Sequence, residues 1–191
     1  MMKKIVYLFI LMSLVSCDKE DPVQNSVTEE EFYELVEGYY DLRVAVIDTP
    51  IDLNHDGVAH TNLYEEVVYC GGFSLDLNSY SCNFQHKSSY SQVSLDIPTS
   101  EYVGPDAGTN TCLRDTGLFY DFKVNVENRE VMLVQCDYCD EFAAGFQAEI
   151  LDLDWQNDRA YFTLNKRFLT SSGEKKWVTL YLEYEKVLED I

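Results

Sequence analysis

The chain has 191 residues, of which 34 are acidic and 14 basic, for a formal charge of −20. So negative a surface repels phosphate backbones and anionic headgroups, which excludes nucleic acid as an expected partner and leaves cationic or neutral ones. The length is one domain's worth and suffices for a sizeable buried core.

The first element is a targeting segment. Lys3 and Lys4 precede an uncharged apolar run from Ile5 to Val15, the charged start and apolar middle of a secretion signal. The run is too short to span a bilayer, which takes about 20 apolar residues, and acidic residues follow at once. Leu14-Val15-Ser16-Cys17 resembles the lipobox of bacterial lipoproteins. The resemblance implies cleavage of residues 1–16 and acylation of Cys17 with palmitate-type chains, each buried methylene contributing about 0.8 kcal/mol to anchoring. Lys19, Glu20 and Asp21 resemble the short export tag that sends some lipoproteins to the outer leaflet of the outer membrane. The location this implies is a lipid-anchored protein facing the cell exterior. Loss of the two signal lysines makes the mature charge about −22.

Residues 17–26 are polar, contain Pro22 and show no apolar period, so they read as the acylated cysteine and a flexible tether. The folded domain is expected over 27–191. Thr28 and Glu31 match a capping box, and Phe32, Leu35, Val36 and Tyr39 follow at helical spacing. Thereafter the period is two. Tyr39 to Asp48 reads as a strand, and Phe73, Leu75 and Leu77 alternate with polar residues. So do Val93, Leu95 and Ile97, up to Pro98. Leu118 to Val126 turns through Glu127-Asn128-Arg129-Glu130 into Val131 to Val134, and strands follow over Phe146 to Trp155, Tyr161 to Phe168 and Trp177 to Tyr184. Short polar turns between period-two runs predict an all-β antiparallel meander of eight or nine strands, curled so that one face is buried and the edges removed.

A capped helix, then Gly38-Tyr39-Tyr40 opening the first strand, then about eight up-and-down strands, looks like the lipocalin-like lipoproteins of such bacteria. Tyr40 stands where lipocalins carry Trp. Pro50 to Glu66 adds to the resemblance, since members of that group often carry an Asp-Leu-Asn-x-Asp-Gly loop between the first two strands. An up-and-down barrel is the fold implied. An immunoglobulin-like sandwich is the alternative, which alternation alone does not separate from it.

Within that loop, Asp52, Asn54 and Asp56 occupy alternate positions before Gly57, like the first half of an EF-hand loop in which side-chain oxygens converge on a hard cation. Val58 would add a backbone carbonyl and Glu65, or Glu66, would close the site from a short helix begun near Thr61. Leu63 occupies the position where the bidentate glutamate belongs. Calcium is the candidate cofactor, and an Asx-rich turn with no metal is the competing reading.

Cys70, Cys82, Cys112, Cys136 and Cys139 remain beyond Cys17, and an exported compartment favours disulfides among them. Cys70 and Cys82 flank a hairpin and are expected to pair, leaving Cys112 for Cys136 or Cys139. Asp137, Asp140 and Glu141 around the CxxC disfavour a thiolate, hence a redox centre, and zinc would lack a second ligand pair. His55, His60 and His86 lie in polar segments and read as surface loop residues. No nucleophile elbow, phosphate-binding glycine loop or dinucleotide fingerprint is present. The expected function is a non-catalytic binding module for a small apolar ligand or glycan, drawing on the abundant tyrosine, including the stretch between Tyr80 and Tyr90. The alternatives are a structural or adhesive accessory of an outer-membrane protein complex and, further off, a hydrolase or thiol oxidoreductase.

Overall fold

A computed structural model describes residues 27–67, 77–102 and 111–187. The signal, Cys17, the export tag, the tether and Cys70 lie outside them, as do Phe73 and Leu75 of the expected second strand.

Helix α1 spans Glu29–Val36 and begins as the sequence predicts: the Thr28 hydroxyl accepts from Glu31 N at 3.2 Å, and the Glu31 carboxylate accepts from Thr28 N at 2.7 Å. Its buried face differs from the expected stripe. Phe32, Tyr33 and Val36 are buried, whereas Leu35 and Tyr39 are about half exposed. Tyr39 already belongs to strand β1, Gly38–Ile51, where alternate side chains point outward. Gly38 makes the break between helix and strand at φ +139°, a conformation that favours glycine, and a Cβ there would stand 2.9 Å from Lys186 Cε, which the flexible lysine would have to yield.

The remaining strands are β2 (His60–Asn62), β3 (Ser81–Lys87), β4 (Tyr90–Tyr102), β5 (Thr111–Asn125), β6 (Glu130–Leu133), β7 (Ala148–Gln156), β8 (Arg159–Leu169) and β9 (Lys175–Lys186). All pairings are antiparallel, in the order β6-β5-β4-β3-β1-β9-β8-β7, with β2 paired to β1 off this path. Apart from β2 the neighbours are successive in sequence, and β9 returns to β1 through pairs such as Ala45↔Leu182 and Ile47↔Leu180. This is an up-and-down barrel of eight strands, nearly closed, and not a sandwich of two sheets. Among the described residues it remains open between β6 and β7, which lie against each other without a hydrogen-bonded ladder.

β4 runs past Pro98, where the sequence suggests a stop. β3 pairs with β4 only as far as Cys82↔Leu95, so among the described residues Pro98 has a strand partner on one side alone, Asp115 of β5. β3 itself is a strand that the mixed polar-aromatic sequence between Tyr80 and Tyr90 does not announce. A second helix, α2 (Asp137–Gly145), is also unannounced and lies over the seam, packed on β5 and β7.

The inward row of β8 (Ala160, Phe162, Leu164, Lys166, Phe168) meets Val178, Leu180, Leu182 and Tyr184 of β9, and all are buried. Phe84 and Phe122 pack edge to face at 5.2 Å, as do Phe162 and Tyr184 at 5.9 Å. Each such side chain contributes about 1.5–3 kcal/mol by leaving water. α1 closes one end of the barrel: Tyr40 OH donates to Val36 O at 2.6 Å and accepts from Trp155 Nε1 at 2.9 Å, while Phe32 packs on Trp155. At the other end, residues 52–66 insert Leu53 and Leu63, both buried.

Candidate functional site

The acidic loop folds as a chain of Asx turns. Asp52 accepts from His55 N at 2.7 Å and Gly57 N at 3.2 Å, Asn54 Oδ1 from Asp56 N at 3.0 Å, and Asp56 Oδ1 from Val58 N at 2.7 Å. Gly57 takes φ +85°, the turn its position before Val58 predicts. Asn54 Nδ2 donates to Asp56 Oδ2 and to Glu65 O, at 3.1 and 3.0 Å. A single 3-10 turn, Leu63–Glu65, stands where the short helix is expected. It turns the Glu65 carboxylate outward to His60 Nδ1 at 2.9 Å. Glu66 is the carboxylate that reaches the loop: fully buried, it accepts from Leu53 N at 2.6 Å and His60 N at 2.9 Å. Among the described residues no group of three or more His, Cys, Asp or Glu side chains is placed to hold a metal.

The cysteine pairing requires correction. Cys82 is a free, buried thiol on the inward face of β3, opposite Tyr40 and Leu95, and burial pushes it well above its ordinary pKa. It is therefore not bonded to Cys70. Cys136 and Cys139 are bonded to each other, with Cα atoms 5.2 Å apart, because the first turn of α2 brings residues three apart together. Both thiols are thus consumed in the bridge, which leaves neither for zinc. Cys112 is also disulfide-bonded, and its partner is none of the described cysteines.

The histidines differ from one another. His55 is an exposed turn residue at φ +69°, and His60 begins β2 beside Glu65. His86 is no loop residue: it sits in β3, stacked on Tyr33 at 3.8 Å, with Nδ1 2.7 Å from Ser91 Oγ. Its sequence neighbours are polar because they face out; the ring is held by α1, which no local pattern reveals.

The seam between β6 and β7 is the place where the barrel wall opens. β6 is only four residues long and β7 carries a bulge between Ile150 and Asp152, which leaves Leu151 half exposed. A cleft of about 360 Å³ lies there, walled by residues 131–136 on one side and 150–153 on the other. It reaches inward to the buried Tyr120, Val131 and Leu153. At its head Tyr120 OH donates to Asp140 Oδ1 of α2 at 3.1 Å; burial, then this carboxylate, raises the phenol's pKa. Tyr120 is buried and Asp140 exposed, Gln135 and Asp152 add polar groups to the lining, and Cys136 stands at the rim.

α2 is held at both ends. Cys136 is its N-cap, and its Sγ accepts from Cys139 N at 3.1 Å. At the C-terminal end the inward Lys166 ammonium donates to Phe146 O at 2.8 Å and to Arg167 O at 3.2 Å. Burial, with a smaller push from Arg167, lowers this lysine to about 8. Phe119, Phe142 and Phe146 pack successively along the outside with ring centroids 5.1 Å apart, the first pair tilted and the second edge to face. A second cleft, of about 250 Å³, lies where Val27 enters the fold, between α1 and the β7–β8 turn, lined by Leu35, Trp155 and Arg129 among others. Comparison with known protein families, curated proteins and solved structures finds no match for the chain.

Proposed function

We propose that this protein is a lipid-anchored, surface-exposed bacterial lipoprotein of lipocalin-like type, a non-catalytic module that binds a small apolar ligand at the β6–β7 seam. The observation that carries the binding reading is the cleft itself, a recess of mixed apolar and polar lining at the unladdered β6–β7 seam, with a Tyr120–Asp140 pair to orient a polar end. The reading places the ligand in the wall instead of a central lumen, because aromatic side chains occupy the interior. The neutral fluorophore N-phenyl-1-naphthylamine is the probe. It should bind the mature domain, and Leu133→Trp, which fills the cleft, should weaken binding by about tenfold, or 1.4 kcal/mol. Binding that survives both Leu133→Trp and Val134→Glu would exclude the seam, and no binding at all would favour the accessory role.

The packed interior supports that second reading, a structural or adhesive subunit of an outer-membrane complex, equally well. Anchoring rests on Leu14-Val15-Ser16-Cys17 and display on Lys19, Glu20 and Asp21. Palmitate should label the protein in cells and Cys17→Ala should abolish the label. Protease added to intact cells should remove the domain unless the three tag residues are replaced. Calcium at the loop of Asp52, Asn54 and Asp56 belongs to the same proposal. With a Kd near 10⁻⁴ M, about 1 mM calcium would stabilise the fold by roughly 1.4 kcal/mol, a melting shift that Asp52→Ala removes. An equal shift in that variant would assign the loop to turn formation alone.

A further inference from the structure

We propose that Cys136–Cys139 is a thiol–disulfide exchange site, opened to a protein dithiol through the seam and attacked at Cys136. The acidic neighbours argue against this chemistry in sequence, and the fold changes the balance in three ways. The two sulfurs are unequally placed: Cys139 is 4% exposed, whereas Cys136 is partly exposed and stands on the rim of the seam cleft. Attack therefore has one accessible sulfur. The bridge also closes a ring of only four residues, the case in which a cross-link constrains the unfolded chain least, so a purely structural purpose gains little from it. Finally, Cys136 is the N-cap of a nine-residue helix, where an N–H is already donated to its sulfur, and a thiolate released there meets the positive end of α2. Of the nearby carboxylates, Asp140 is exposed to solvent, which screens its charge, and accepts from Tyr120 OH.

The step balances without an external oxidant. One thiolate of the dithiol attacks Cys136 Sγ, a new S–S bond forms, and the Cys136–Cys139 bond breaks with its electron pair leaving on Cys139, which takes a proton. The second thiol of the partner then displaces Cys136, giving a protein dithiol here and a disulfide there. The exposed Val134 and Leu151 beside the rim offer apolar contact to the segment of the partner that carries its cysteines.

The test uses the mature domain, natively folded. Dithiothreitol under non-denaturing conditions, followed by alkylation and mass analysis, should modify Cys136 and Cys139 while the bond of Cys112 persists. Retention of the 136–139 bond until denaturant is added would overturn the proposal. Cys139→Ser challenged with oxidised glutathione should form the mixed disulfide at Cys136 at least about tenfold faster than Cys136→Ser does at the buried Cys139. Equal rates would overturn the assignment of Cys136 as the attacked sulfur. Reduction of the unmodified protein needs no variant to fold, and its outcome is independent of whether the naphthylamine binds.

Discussion

The two sides of the barrel wall are built differently. From β8 through β9 to β1 every strand is paired to its neighbour, with eleven successive pairs between Arg159↔Glu185 and Leu169↔Lys175 and one register shift, between Leu42 and Val44 of β1, and every inward side chain of β8 is buried. On the opposite side β6 offers four pairs to β5 and none to β7, and a helix covers what the strands leave open. Outside the continuous wall, Arg159 is paired with Glu183 and Glu185, and Arg43 with Glu185; these exposed contacts contribute little, so the stability of this side resides in its apolar face. The difference teaches how closure is divided between the two sides: a wall of paired strands leaves no gap between them, whereas a short strand beside a bulge does, and the proposed ligand is placed at that gap.

The largest test of this contrast is Phe162→Ala. It removes a buried ring from the continuous wall and should cost about 3–5 kcal/mol in urea unfolding. A loss below about 1 kcal/mol would mean that the wall is not the stability centre.

Lys166 joins the two sides, since it rises from β8 and caps α2. Its ammonium is lowered to about 8 from an ordinary 10.5, chiefly by burial. Between those pH values the unfolded chain binds more protons than the folded one, so this group makes stability rise with pH, by about 3 kcal/mol in all. Charge on Lys166 is thus a full cost below pH 8 that vanishes above 10.5. Unfolding midpoints measured against pH should show the unmodified protein gaining on Lys166→Met across this window; parallel curves would show a lysine that titrates normally.

Phe142→Ala should be milder, about 1–2 kcal/mol, because the ring is only partly buried between Phe119 and Phe146. Its sharper readout is hydrogen exchange, which should quicken at β6 and α2 while β8 and β9 stay protected. Uniform quickening would make the two sides one cooperative unit. Smallest of all, Leu151→Ala in the bulge should change stability by less than about 0.5 kcal/mol, as expected for a half-exposed side chain, while weakening binding of the apolar probe.

What the sequence by itself determined was local and periodic. Thr28 and Glu31 specify the start of α1 because the capping box lies within four residues, and the alternation from Tyr161 to Phe168 and Trp177 to Tyr184 specifies which side chains face inward, since a strand has period two whatever it packs against. The Asx turns from Asp52 to Gly57 were equally legible, being hydrogen bonds over two to five residues. Tertiary structure alone decided the rest. Whether the meander closes depends on β9 reaching β1 across more than a hundred residues, which no window of sequence contains. The seam depends on how far β6 extends beside β7, and α2 on the wall it covers; a Cys N-cap with Asp137 and Asp140 in its first turn was its one local signal. The cysteines show the limit most plainly. Counting and compartment indicate bridges, but partner choice follows Cα distance, and the inward face of β3 isolates Cys82 while one helical turn joins Cys136 to Cys139.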